Sequence, residues 1–166
     1  GTFCVAATIA KGDLLIKNFD SHLIQSELNL LKKIGSKIKI FKKEIYIKGP
    51  NKIKKINSIV TKEYPNFPTD LQAQFMVLLC KANGRSTITE NIFENRFMHV
   101  AELRRLGAKI TIKEKKAIIE GNTEFLAAEL MSSDLRASVA LVLAAIVAKG
   151  QTVINRIYHL DRGYEK

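Results

Sequence analysis

Polar and apolar positions along the 166-residue chain follow two rhythms. Phe75-Met76-Val77-Leu78-Leu79-Cys80 and the run from Val139 to Ala148 are apolar on every side, and Phe3, Val5, Ala6, Ala7 and Ile9 have the same character. A helix with no polar face has to be buried all round. Residues 21–34 and 94–106 instead carry apolar side chains at helical spacing. They close on Leu31-Lys32-Lys33-Ile34-Gly35 and Leu103-Arg104-Arg105-Leu106-Gly107. Basic side chains suit the last turn of a helix, and glycine takes the left-handed conformation that ends one. Lys37–Phe41 with Glu44–Lys48, and 109–113 with 117–120, alternate as hairpin strands with one wet face. Short strands are predicted at 14–16, 56–61, 87–89, 127–131 and 152–154.

These elements repeat. Gly12, Gly35 and Gly49 are spaced 23 and 14 residues apart, as are Gly84, Gly107 and Gly121. Thr69-Asp70-Leu71-Gln72-Ala73 is matched by Ser133-Asp134-Leu135-Arg136-Ala137, each ahead of an apolar helix expected to end at a glycine, Gly84 or Gly150. Each unit reads helix, strand, helix, hairpin, with a further strand leading into the next. The fold class expected is α/β: an inside-out, pseudo-threefold α/β domain of repeated helix-strand-helix-hairpin units with buried central helices. One domain over 1–166 is expected, in units of about 1–61, 62–131 and an incomplete 132–166. The first unit opens in mid-helix and the third stops early, so a piece of a longer protein is expected, truncated at both ends.

Composition narrows the partners. With 46% apolar and 26% charged residues the chain is neither disordered nor fibrous. Its longest apolar run, Val139 to Ala148, is too short to span a bilayer, and no leader pattern opens the chain, so no membrane partner is expected. The net charge of +11 is concentrated between Lys32 and Lys62, where eleven lysines face a single acid, Glu44. Arginine is absent there and aromatic residues are few, which favours a solvated lysine face over a nucleic-acid surface. Cys4 and Cys80 lie in apolar helices and read as small buried hydrophobes, with no zinc pattern. There is no GxGxxG or GxxxxGK[ST] phosphate loop, and neither cofactor nor metal is expected.

Asp70 and Asp134 each precede a buried helix. The simplest reading makes both N-caps; the same placement also fixes an aspartate in the orientation a general base needs. Arg96, Arg136 and Arg162 are either solvated or suited to gripping a phosphate or carboxylate through paired hydrogen bonds. Glu94-Asn95-Arg96 and the segment from His159 to Glu165 are polar for stretches beside apolar helices, while His99, between Met98 and Val100, reads as a packed helix residue.

Four stretches carry a resemblance that covers essentially the whole chain. They are Phe67-Pro68-Thr69-Asp70-Leu71-Gln72-Ala73-Gln74-Phe75, the run from Thr89 to His99, Asp134-Leu135-Arg136-Ala137, and Tyr158-His159-Leu160-Asp161-Arg162-Gly163-Tyr164-Glu165. In this order they closely resemble the UDP-N-acetylglucosamine 1-carboxyvinyltransferases, cytoplasmic enolpyruvyl transferases that open peptidoglycan synthesis. The resemblance implies two inside-out α/β domains with substrates between them, the chain being most of one. It implies transfer of an enolpyruvyl group from phosphoenolpyruvate to the 3-hydroxyl of UDP-N-acetylglucosamine, with release of phosphate. Asp70 then matches the base at that hydroxyl, Ile92 a position touching the sugar nucleotide through its backbone, and Arg162 an arginine at the phosphoenolpyruvate anion. Arg96, Asp134 and Arg136 lie in motifs lining the same cleft.

The family's reactive cysteine belongs to the other domain, and neither Cys4 nor Cys80 matches it. The expected partners are therefore the two substrates and that missing domain, and the 166-residue chain alone is expected not to turn over. Two alternatives compete. The related 3-phosphoshikimate 1-carboxyvinyltransferases are disfavoured by the motifs at 94–99 and 158–165, and a nucleic-acid-binding domain would rest on the lysine-rich first unit.

Overall fold

A computed structural model describes residues 1–164. Glu165, Lys166 and the side chain of Arg162 lie outside the described residues. The first repeat comprises α1 (Thr2–Ile9), β1 (Asp13–Lys17), a 3-10 turn (Ser21–Ile24), α2 (Gln25–Ile34), β2 (Lys37–Phe41), β3 (Glu44–Lys48) and β4 (Ser58–Val60). The second has the same order of helices and strands, with its 3-10 turn (Thr69–Leu71) placed ahead of the first helix: α3 (Gln72–Cys80), β5 (Ser86–Thr89), α4 (His99–Arg105), β6 (Ile110–Lys113), β7 (Lys116–Ile119) and β8 (Glu129–Met131). Then come α5 (Leu135–Ile146), β9 (Val153–Asn155) and a 3-10 turn (Ile157–Arg162).

The all-apolar segments form the centre. Every residue of α3 is buried, and α1 and α5 pack on it and on each other. The sheets lie outside, in the strand orders β1-β3-β2, β4-β5-β7-β6 and β8-β9. In the first sheet Ile45 stands opposite Ile16 and Ile40, and Ile47 opposite Leu14 and Ile38. One face is thus apolar, while Lys37, Lys39 and Lys48 project from the other. Lysines along the outer strand β2 also discourage further strand pairing there. Each repeat lends its last strand to the next: β4 pairs parallel with β5, and β8 with β9. No helix among the described residues is long and apolar enough to cross a membrane.

Both hairpins and both glycine stops form as the sequence predicts. Gly35 and Gly107 are left-handed, with φ of 116° and 98°. Four helix boundaries differ. The helix expected over 94–106 begins only at His99, because Asn95 is left-handed (φ 56°) and the preceding amides are bonded elsewhere. Residues 21–24 form a 3-10 turn ahead of α2 rather than its first turn. The helices expected to end at Gly84 and Gly150 end instead at Cys80 and Ile146, where the next amides tighten onto carbonyls three residues back.

Gly121 ties the second hairpin to the end of α3. Its φ is +75°, and a Cβ there would collide with the carbonyls of Ala82 and Gly84. Gly12 has open space at the same atom. Gly121→Ala is expected to destabilise by roughly 2 kcal/mol or more, and Gly12→Ala to be neutral or stabilising by up to about 1 kcal/mol. Equal denaturant midpoints for the two variants would contradict this packing.

Candidate active site

The N-terminal ends of α3 and α5 meet at one pole of the domain, and most of the candidate side chains gather there. The two aspartates that the sequence treats alike behave differently. Asp134 is the N-cap of α5, its Oδ1 accepting from the amides of Arg136 (2.9 Å) and Ala137 (3.0 Å). Desolvation opposes its charge, but those amides and the Ser133 hydroxyl prevail and hold its carboxyl below the ordinary aspartate value. Asp70 is not a cap. The residue before its 3-10 turn is Pro68, no side chain caps that turn or α3, and the Asp70 carboxylate projects outward, 60% exposed.

Asp70 is instead held from the next repeat. Arg136, in the first turn of α5, brings Nε and Nη2 to the same oxygen, Oδ1, each at 2.6 Å. The guanidinium fixes the direction of the carboxylate while Oδ2 accepts from no protein donor among the described residues. Two spaces adjoin this pair. A cleft of about 200 Å³ is lined by Asp70, Arg136, Leu135, Gln74, Thr2 and Tyr164. A narrow slot of about 30 Å³ brings Arg96, Asp134 and Arg136 together with Thr69, Gln72 and His99.

Arg96 lies over the Phe93 ring at 4.3 Å and also borders a wider recess of about 480 Å³ beneath the 91–98 loop. Ile92 lines none of these spaces. Its N–H donates to Glu90 Oε1 (2.9 Å), so the carbonyl is the part of its backbone left for a ligand. Of Arg162 only the backbone is described, closing the last 3-10 turn; the next residue, Gly163, packs on Leu135 at the rim of the larger cleft. The Tyr164 hydroxyl there donates to Thr2 Oγ1 at 3.0 Å.

His99 is buried as a helix residue. Burial pushes its imidazole down to about 4, against the pull of the Asp134 charge. Both His99 and Gln72 line the slot, and among the described residues neither Nε2 has a hydrogen-bond partner. Cys4 and Cys80 are buried free thiols; burial pushes Cys80 up to about 12 and raises Cys4 as well. Among the described residues no group of His, Cys, Asp or Glu is placed to hold a metal ion. The pole can therefore offer fixed cations to an anion and one outward carboxylate to a proton.

Sequence reasoning passed over Glu90, Thr69 and Gln72. Glu90 is buried at 2% exposure and binds Thr61, Thr69 and the amides of Ile92 and Phe93. The available signal was an acid ending the threonine-rich strand Ser86-Thr87-Ile88-Thr89, inside a matched motif.

The model of the EPSP synthase (3-phosphoshikimate 1-carboxyvinyltransferase) family matches residues 1–166. The chain belongs to this family. Among family relatives, the UDP-N-acetylglucosamine 1-carboxyvinyltransferase of Pelagibacter ubique is 65% identical over 99% of the chain and 39% of its own length. The enzyme of that name from Desulfosudis oleivorans is 51% identical over the same shares. The chain thus spans about 39% of the length of these relatives. The enolpyruvyl transferase NikO from Streptomyces tendae has the same fold, with a TM-score of 0.89 at 25% identity, covering 98% of the chain and 39% of that protein.

The contrast between the aspartates is measurable. Asp134→Ala removes a helix cap and is expected to cost about 1–2 kcal/mol of stability. Asp70→Ala removes an exposed pair and is expected to change stability by less than about 0.5 kcal/mol. Equal losses in urea unfolding would mean that Asp70 caps α3 after all.

Proposed function

We propose that the chain is part of an enolpyruvyl transferase that moves the enolpyruvyl group of phosphoenolpyruvate to the 3-hydroxyl of UDP-N-acetylglucosamine, the first committed step of peptidoglycan synthesis, in the cytoplasm. The observation that carries this reading is the Asp70–Arg136 pair: a carboxylate oriented through one oxygen, open through the other, and bordering a cleft. The names of the relatives at 65% and 51% identity favour this acceptor over 3-phosphoshikimate.

On this reading the acceptor hydroxyl lies against Asp70 Oδ2. Its oxygen bonds to the enol carbon of the donor, the bond from that carbon to the phosphate oxygen breaks, phosphate leaves, and the hydroxyl proton passes to Asp70. Arg162, Arg96 and Arg136 are assigned to the donor anion, where fixed guanidinium groups offset charge gathering on the leaving phosphate. Asp134 orients Arg136 by capping its helix. Ile92 is assigned to the sugar nucleotide through its carbonyl. The other domain of the same enzyme supplies the reactive cysteine; Cys4 and Cys80, buried and with raised thiol pKa values, are unsuited to that part.

Asp70→Asn in the full-length enzyme tests the assignment. The amide keeps the shape and can still accept from Arg136, but it is not a base. Turnover is expected to fall by about a hundred- to ten-thousand-fold with sugar-nucleotide affinity changed by only a few-fold. Undiminished turnover would leave Asp70 as a partner for Arg136 and nothing more.

A further inference from the structure

The repeats share a backbone plan, so a buried polar group present in one copy alone marks something that copy does differently. Counting from the glycine ahead of each first strand, Glu90 occupies the place of Asn18 and Arg156. Those two residues are left-handed, with φ of 56° and 59°, whereas Glu90 is absent from the residues with positive φ. The surrounding frame is otherwise equivalent. The Thr61 amide donates to the Thr89 carbonyl (2.9 Å) in the second sheet, and the Ser132 amide to the Asn155 carbonyl (3.0 Å) in the third.

Only the second copy sets a carboxylate at this joint. Glu90 Oε1 accepts from Thr61 Oγ1 (2.7 Å) and from the amides of Ile92 (2.9 Å) and Phe93 (3.2 Å). Its Oε2 accepts from Thr69 Oγ1 at 2.8 Å. A carboxylate is acceptor-only, and burying one is costly unless both oxygens are satisfied, so it demands donors at fixed places. The sheet does not need these bonds, since the β4–β5 ladder and the Thr61 amide already join the two repeats. They reach instead to the turn before Asp70 and the loop containing Ile92.

The matching residue in the third copy shows what the bond to Thr69 does. Ser133 has no such carboxylate to bind; its hydroxyl goes to Asp134, and Asp134 caps its own helix. Thr69 is drawn to Glu90, the following turn is 3-10, and Asp70 faces outward to Arg136. We propose that Glu90, acting through the Thr69 hydroxyl, is a positioning residue that keeps Asp70 off the α3 amides and presents it to the substrate cleft. The part of this proposal that concerns turnover rests on the function proposed above; the part that concerns the orientation of Asp70 does not.

The test compares full-length Thr69→Val and Thr69→Ser. Valine keeps the shape and loses the donor, while serine keeps the donor. In a crystal structure of Thr69→Val, the Asp70 carboxylate is expected on the first-turn amides of α3 and away from Arg136. Its kcat is expected to fall about ten- to a hundred-fold, the scale of a misplaced catalytic group, with KM for phosphoenolpyruvate within about three-fold and the melting temperature lowered by a few degrees, since the buried Glu90 Oε2 loses its donor. Thr69→Ser is expected to stay near wild type. Glu90→Gln is expected to follow it, since its amide oxygen can take the place of Oε1 and its NH₂ can donate to the Thr69 hydroxyl.

An unchanged Asp70–Arg136 pair in Thr69→Val overturns the proposal. A displaced Asp70 with undiminished kcat overturns the link to turnover. A displaced Asp70 in a full-length protein whose wild type transfers no enolpyruvyl group supports the positioning role and sinks the function proposed above.

Discussion

A helix buried on every side meets water only at its ends, and α3 is such a helix. Everything polar that it can present must sit at its termini, and its neighbours α1 and α5 are constrained in the same way along their packed faces. Placing central helices side by side brings their first turns to one pole, where unpaired amides and side chains from different repeats converge. The site is thus a consequence of the inside-out arrangement. No single segment carries it, and Asp70 and Arg136 meet across 66 residues of sequence.

Repetition builds the scaffold, and departures from repetition build the site. One motif, Thr/Ser-Asp-Leu, yields a helix cap at Asp134 and an outward carboxylate at Asp70. The cap stabilises α5 and steadies Arg136 in its first turn; Arg136 then aims the second aspartate. The pair works as a chain of orientation, from backbone amides to Asp134, to the helix carrying Arg136, to Asp70. Because Arg136 uses only Oδ1, holding the carboxylate and leaving its other oxygen open are compatible.

Much of this fold is legible in the sequence because its signals are local. Glycine spacing gives the repeat, alternation of lysine and isoleucine gives the first hairpin, and unbroken apolar runs give the buried helices. The misreadings occur where a side-chain bond, local or distant, overrides the hydrophobic pattern. Residues 94–98 carry a helical pattern, yet the chain before them is bound by the Glu90 carboxylate and Asn95 turns left-handed. Asp70 and Asp134 are indistinguishable by local pattern, since the difference lies in what binds Thr69 and where Arg136 reaches. Glu90 ends a threonine-rich strand, and only the fold shows it enclosed by donors from three segments.

The proposed transfer depends on the open oxygen of Asp70 facing the acceptor. A crystal structure of the full-length enzyme with UDP-N-acetylglucosamine bound addresses this most directly. The sugar 3-hydroxyl is expected within hydrogen-bond reach of the Asp70 carboxylate, about 2.6–3.2 Å, with Arg136 still on the other oxygen. A sugar nucleotide bound with that hydroxyl beyond about 5 Å, with no water between them, would contradict it.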